Sequence, residues 1–310
     1  MNLFYCSIGR CQPSLDRLFL SKLYDRTNRG ILLLFQTSAI AQNHASLRDQ
    51  LQDWLIPRKR QHQMRVAQTI QVNGHYRHFN EPVKNGDLIS LTYDELVHRT
   101  YVPETPHLNI RYEDDDLLIV DKPAGMKTHP NQPGETSTLM NQAAAYLAPF
   151  PALITHRLDM ATSGLLVIAK NPLAQAIINR QLATKTMHRD YLAVVPRGIP
   201  EKGTIQAPIG HDPDDKRKRM IRADGAFAVT HYHRIAENAD TATIELNLET
   251  GRTHQIRVHL ASIGFPIIGD PLYAATETAT RMQLHAFRVR LIRPLTIEPL
   301  TVTSPSPFRQ

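Results

Sequence analysis

Cysteine is almost absent from this chain of 310 residues: there are two, Cys6 and Cys11, both within the first dozen positions. Neither can staple the body of the chain or build a zinc cluster there, and so small a supply fits a reducing compartment rather than a disulfide framework. Long apolar runs are missing too. Ile31-Leu32-Leu33-Leu34-Phe35 covers five residues, far short of the ~20 that cross a bilayer. The N-terminus carries neither the apolar stretch nor the small-residue cleavage site of a secretory signal. There is no phosphate-binding glycine loop, no metal-ligand cluster and no repeat at solenoid periods. The expectation is a soluble, cytoplasmic, monomeric protein with no membrane partner, no metal and no cofactor.

What is present is ordinary for a globular chain. Hydrophobic residues make up 42% and charged residues 21%, enough to bury a sizeable core, and the length suits two domains. The formal net charge is +7. That suits a polyanionic partner such as nucleic acid, or simply a solvated basic surface.

Residues 1–43 show no clean periodicity and read as an irregular arm. Over 44–97, Leu47, Leu51, Trp54 and Leu55 recur at helical spacing, and a basic segment with Arg58, Lys59, Arg60 and Arg65 follows. Thr69–Val72 reads as a strand ending in the tight-turn pair Asn73-Gly74, and a turn and strand run from Val83 to Ile89. Residues 98–109, with Pro103 and Pro106, read as a linker. From 110 to 310, Leu117–Val120, Leu165–Ala169, Tyr191–Val195, Thr243–Leu248 and Leu284–Leu291 read as strands. Thr138–Leu147 and Pro172–Ala183 read as helices, the second capped by Asn171 with Pro172 at its first position. Helices and strands do not alternate regularly. That predicts an α+β fold on a mostly antiparallel mixed sheet with flanking helices, beside a small N-terminal α/β domain.

Two stretches carry chemistry. In His156-Arg157-Leu158-Asp159-Met160-Ala161-Thr162-Ser163-Gly164-Leu165-Leu166, a polar turn runs straight into an apolar strand. Asp159 is thereby presented by a rigid scaffold to a cleft. In Glu249-Thr250-Gly251-Arg252-Thr253-His254-Gln255-Ile256-Arg257-Val258-His259-Leu260, a turn enters a helix that Thr253 can cap. Thr253, His254 and Arg257 then share one face, and Ile256, Leu260 and Ile263 form an adjacent apolar one. The separation of His254 from His259 is poor for a metal pair on one helix face, and neither Cys nor carboxylate completes a set.

These stretches resemble the signature motifs of the RluA-type RNA pseudouridine synthases. Further matches stand in the family's order: Val120-Asp121-Lys122-Pro123-Ala124-Gly125-Met126 with His129-Pro130, Arg189–Val195, Gly264 to Tyr273, and Leu284-His285-Ala286. The likeness covers about 110 to 300, and residues 44–97 resemble an S-four-like RNA-binding domain. By that resemblance Asp159 is the catalytic aspartate, Tyr191 contacts the target base, Arg257 pairs with the aspartate, Ile256 packs beside the tyrosine and Arg157 touches RNA near the flipped nucleotide. Residues Arg58, Lys59, Arg60, Arg65, Thr253, His254, Lys216 and Arg217 are candidate RNA contacts. For Arg58–Arg65 and for Lys216–Arg219, which follows three aspartates, a plain solvated surface is the competing reading. The resemblance does not extend to residues 1–40.

The reaction so implied moves uracil from a carbon–nitrogen to a carbon–carbon glycosidic bond, with no redox change. An ionised carboxylate can attack the anomeric carbon or take a proton from the neighbouring sugar carbon. The residues do not choose between these routes. Either needs a cation nearby to hold the carboxylate ionised in a water-poor cleft. A tyrosine can stack on the base and assist loss of the carbon-five proton. Ribosomal large-subunit RNA is the first expectation for substrate and transfer RNA the second. A non-catalytic RNA-binding or ribosome-assembly factor, and a glycosylase that cleaves without rejoining, are the competing classes.

Overall fold

The computed structural model describes residues 19–24, 31–97, 101–274 and 279–308. The N-terminal unit contains β1 (Phe19–Tyr24), β2 (Ile31–Ile40), α1 (Leu47–Asp53), α2 (Arg58–Ala67), β3 (Ile70–Val72), β4 (His75–Tyr76) and β5 (Leu88–Val97). Its five strands form one antiparallel sheet in the order β1-β2-β5-β3-β4. Ser46 caps α1 through its hydroxyl, which accepts from Asp49 N. Asn73 and Gly74 adopt positive φ at the β3–β4 turn, as a two-residue hairpin of right-handed twist requires.

The irregular arm expected over 1–43 is corrected here. β2 pairs with β5 from Ile31↔Val97 to Ile40↔Leu88, so the unit begins at least as early as residue 31. Cys6, Cys11 and the rest of 1–18, with 25–30, lie outside the described residues. The stretch 98–109 is a connection without helix or strand from residue 101 onward, yet it is fastened to its surroundings. Glu104 N donates to Asn141 O at 3.2 Å and His107 N to Gln142 Oε1 at 3.0 Å.

The second unit contains β6 (Ile110–Glu113), β7 (Leu117–Lys122), α3 (Leu139–Tyr146), β8 (Leu153–Ile154), β9 (Ser163–Ala169), α4 (Pro172–Ala183), β10 (His188–Pro196), β11 (Lys202–Gln206), β12 (Ile209–His211), β13 (Arg219–Ile221), β14 (Val229–Glu237), β15 (Thr241–Leu248), α5 (Gln255–Ser262), β16 (Leu284–Ile292) and β17 (Pro299–Thr303). Ten strands form a sheet in the order β11-β14-β15-β10-β16-β9-β7-β6, with β17 beside β16 and β8 beside β9. The β12–β13 pair stands apart as a two-stranded hairpin. Strand β9 is buried along its whole length, because both faces of the sheet are covered. Leu166 and Ile168 enter one apolar cluster with Tyr191, Ile256 and Leu260, while Leu165 and Val167 enter another with Val289 and Leu291.

Among the described residues, every strand pairing in the large sheet is antiparallel except one. β16 meets β9 in parallel over His285↔Ser163 and Ala286↔Gly164. Ala286 also pairs with Tyr191, and Tyr191 with Leu246. One row across the sheet thus reads Gly164, Ala286, Tyr191, Leu246. At a strand spacing of ~4.8 Å, this row places Tyr191 about two strands from the end of the Asp159 loop. The approach is so close that a Cβ on Gly164 would lie 2.3 Å from Ala286 O, and Gly164 has φ +116°.

The two units share a core. Leu173 and Ile177 of α4, with Leu295, join the apolar cluster of the N-terminal unit beside Leu47, Leu51 and Trp54. Arg180 Nη1 donates to Ile56 O at 2.8 Å, and Tyr93 OH donates to Asn171 Oδ1 at 3.1 Å. Among the described residues no helix is long and apolar enough to cross a membrane.

Candidate active site

Asp159 sits in the irregular stretch that leads into β9, and the backbone on both sides of it is tied down. Leu158 N donates to Thr128 Oγ1 at 3.1 Å, and that hydroxyl donates to Leu158 O at 2.7 Å. Met160 O accepts from Gly125 N at 2.8 Å and from Lys122 Nζ at 3.3 Å. Thr162 N closes a turn onto Asp159 O at 3.0 Å. The carboxylate lines a cleft of about 550 Å³, together with Arg157, Tyr191, Thr253, His254, Ile256 and Arg257. The polar-to-apolar switch in the sequence is therefore a loop fixed from two sides and aimed at a pocket.

Helix α5 supplies the counter-charge. Arg257 Nη1 reaches Asp159 Oδ2 at 3.3 Å. The same guanidinium grips Asp270 with two parallel bonds, Nε to Oδ2 at 2.7 Å and Nη2 to Oδ1 at 2.8 Å. It also lies 5.0 Å from the centre of the Tyr273 ring. His254 Nε2 is 3.7 Å from Asp159 Oδ2, and its Nδ1 is 2.9 Å from Tyr273 OH. Burial pulls the His254 imidazole below its ordinary value, with Asp159 opposing and Arg257 reinforcing. Asp270 and Tyr273 belong to a stretch singled out in the sequence, but nothing local marked them as the supports of Arg257.

The expected helix cap is corrected. His254, not Thr253, stands at the N-cap of α5, in the left-handed region at φ 57° and with no side-chain capping bond. Instead Gln255 Oε1 accepts from Arg252 N at 3.0 Å and from Thr250 Oγ1 at 2.8 Å, which fastens the turn. Thr253 Oγ1 accepts from Arg157 Nη2 at 2.8 Å, linking the two motifs across the cleft. Ile256 and Leu260 are buried as expected, but Ile263 is 38% exposed and lies off the apolar face. His259 is occupied by Thr230 Oγ1 and Ala207 O. Among the described residues no group of three metal-ligating side chains occurs.

Tyr191 is buried on β10 in one apolar cluster with Ile256 and Leu158. Burial raises its phenol above the ordinary value, Arg189 opposing and Asp159 adding to the rise. Lys122, quoted in a motif but given no role, is fully buried. Its ammonium donates to Pro123 O, Met126 O and Met160 O at 2.9, 2.7 and 3.3 Å. Burial takes it down to about 7, against the pull of Asp159. His156 lines the cleft with Arg189. Burial lowers its imidazole to about 3, so it is neutral, and its Nε2 accepts from Val167 N at 3.2 Å.

The other basic candidates divide. Arg58 and Lys59 are exposed at the start of α2, and Arg65 is exposed beside His62. Arg60 is tied to Glu95 at 2.6 Å. Lys216 is exposed on the loop between β12 and β13, whereas Arg217 is held by Asp215 through bonds of 3.0 and 2.7 Å. None of these six lines the cleft.

Fold and site define the class. Residues 116–262 match the family described as RNA pseudouridylate synthase, and residues 37–89 match the RluD ribosomal pseudouridine synthase N-terminal domain. The solved structure of human RNA pseudouridylate synthase domain containing 1 superposes with a TM-score of 0.57 at 27% identity, over 66% of this chain and 86% of that one. The chain belongs to the RNA pseudouridine synthase family. Within it, the uncharacterized RNA pseudouridine synthase YhcT of Bacillus subtilis is 40% identical over 83% of this chain and 84% of that protein. Ribosomal large subunit pseudouridine synthase D of Xanthomonas campestris is 42% identical over 66% of this chain and 68% of its own.

Proposed function

We propose that this chain isomerises uridine to pseudouridine in large-subunit ribosomal RNA, with Asp159 as the reacting carboxylate and no cofactor. The observation that carries the reading is the contact of Arg257 with Asp159 in a cleft that also holds Tyr191. The relatives named ribosomal large subunit pseudouridine synthase D support the choice of RNA.

The target nucleotide leaves its stack, at a cost of a few kcal/mol, and enters the cleft. Asp159 then opens the reaction at the sugar, either by attack on the anomeric carbon or by removal of the neighbouring sugar proton. The bond from that carbon to uracil N1 breaks. The freed base turns and carbon five bonds to the anomeric carbon. On the first route this displaces the Asp159 carboxylate, and on the second it returns the sugar proton from Asp159 to the neighbouring carbon. The carbon-five proton then departs and N1 gains one. Atoms balance without an oxidant or an added group. Arg257 orients the carboxylate through its 3.3 Å contact, and Tyr191 supplies a face for the base and a neutral hydroxyl near it.

The test is release of tritium from carbon-five-labelled uridine in transcribed large-subunit ribosomal RNA. Wild type should release label and leave the RNA mass unchanged, and Asp159→Asn should release none. Equal release from both proteins would remove Asp159 from the chemistry. Free uracil among the products would replace isomerisation by simple cleavage.

A further inference from the structure

A second cavity of about 550 Å³ lies beside the active-site cleft, and Arg252 and Thr253 line both. On the cleft side, Thr253 receives Arg157. The cavity therefore begins where the pocket for the target nucleotide ends. Its other charged side chains are Arg219, Arg222 and Asp224. Asp224 is taken up by Arg222, through bonds of 2.8 Å from Nε and 2.8 Å from Nη2. Arg252 Nε rests on Phe227 O at 3.1 Å and Arg219 Nη1 on Lys218 O at 2.9 Å. Carbonyls orient these two guanidiniums without neutralising them, so three arginines and one aspartate leave a surplus of two positive charges.

The supports are built. Arg219 N donates to Tyr273 OH at 2.8 Å, the same phenol whose ring lies against Arg257. A Cβ on Gly210 would stand 2.9 Å from Arg222 Cδ, so glycine there makes room for the arginine stem. Among the described residues no Phe, Tyr or Trp lines the cavity, and His211 supplies its one aromatic ring, so three guanidiniums fit a charged occupant better than a run of stacked bases.

We infer that this cavity seats the phosphodiester next to the uridine held in the cleft. Guanidinium groups match phosphate oxygens in geometry and charge, and an extruded nucleotide carries its flanking phosphate to the pocket's edge. The inference rests on the reading of an RNA nucleotide in the cleft.

The experiment measures binding of the full chain to decauridylate by fluorescence anisotropy across a salt series. Arg252→Gln and Arg219→Gln should each weaken binding about tenfold at fixed salt. Each should also make the slope of log K against log salt shallower by about 0.7, one contact on a single strand. Asp224→Asn, at a 70% exposed side chain, frees Arg222 and should steepen the slope. Lys202→Gln removes an exposed charge on β11 outside the cavity and should change neither quantity. A loss with Lys202→Gln equal to that of the arginine variants, or weaker binding by Asp224→Asn, overturns the inference. Failure of wild type to release tritium would strike the uridine reading instead and leave these slopes standing.

Discussion

Arg257 is held more firmly by Asp270 than by Asp159: its two bonds to Asp270 measure 2.7 and 2.8 Å, against 3.3 Å for the single one to Asp159. Asp270 thus aims the guanidinium, and the remaining nitrogen is offered to the cleft. Both partners of the tighter pair are buried, with side chains 4% and 0% exposed. Removing one side of such a pair costs about 3–5 kcal/mol. Asp270→Ala should lower stability by that order in urea melts. It should also lower turnover by about 10²-fold, the scale of a small misplacement of a catalytic group. Arg257→Lys should recover only part of the activity lost in Arg257→Ala, because an ammonium cannot serve two carboxylates as a fork does. Full activity in Asp270→Ala would show that Arg257 needs no anchor.

Lys122 offers a test by pH. Its ammonium is drawn from the ordinary 10.5 to about 7 by burial. Between those values the unfolded chain holds a proton that the folded chain has released. Folding is therefore weakened as pH falls through that window, and by no further amount below it. Lys122→Met removes the group from both states. The stability of wild type relative to the variant should rise between pH 7 and pH 9, by about 1 kcal/mol per unit. Denaturant melts at three pH values would measure it. A flat difference would mean that the three carbonyls hold the proton as well as water does.

The contrast between Arg257 and Asp270 shows what a sequence can yield here. Asp159 and Arg257 stand in short local motifs, and α4 announces itself by Asn171 and Pro172, which cap it as expected. Asp270 lies 13 residues beyond Arg257, after a turn, and no periodicity connects them. β2 was hidden for a different reason. Its burial alternates from Leu33 onward, but apolar residues fill both faces over Leu33–Phe35, then Thr37 is buried while Ile40 is 49% exposed. A period of two cannot be read from residues that invert it. The short strands β12 and β13 are three residues each and fall below the length at which any period is visible.

Gly164 is the hinge between the Asp159 loop and the parallel junction with β16. An alanine there places its Cβ 2.3 Å from Ala286 O, at a φ of +116°. Backbone cannot yield as a flexible side chain does, so Gly164→Ala should cost about 3 kcal/mol or more, from overpacking and strain together. The displaced strand carries Ala286, which pairs with Tyr191. Activity should therefore fall further than thermal stability alone explains. Wild-type melting and turnover in this variant would show that the junction tolerates separation.

Tyr191 is kept neutral by burial, so a phenolate is not its working form near pH 7. Its hydroxyl can still pass a proton through a neutral relay, and its ring can bear the base. Tyr191→Phe keeps the ring and removes the relay. The expected result is a fall in kcat of about 10²–10⁴, the range for general acid–base assistance, with RNA affinity maintained by the ring. Turnover equal to wild type would leave stacking as the residue's whole contribution.

The last prediction concerns the N-terminal unit, which is docked rather than tethered. Leu173, Ile177 and Leu295 are buried in its apolar cluster, and Arg180 is bonded to Ile56 O just before the basic helix α2. Helix α4 then runs on to Leu182 and Ala183, which line the active-site cleft. One rigid helix therefore sets the distance between α2 and the reacting nucleotide. Deleting residues 1–97 bares an apolar patch of the kind that drives association. The truncated protein should aggregate or melt at lower temperature, and Leu173→Gln with Ile177→Lys should restore its solubility without restoring RNA affinity. Full-length protein should melt in a single transition, since a shared core couples the two units. Two separate transitions, with a soluble and stable truncation, would mean that the units move independently and that α4 sets no distance between them.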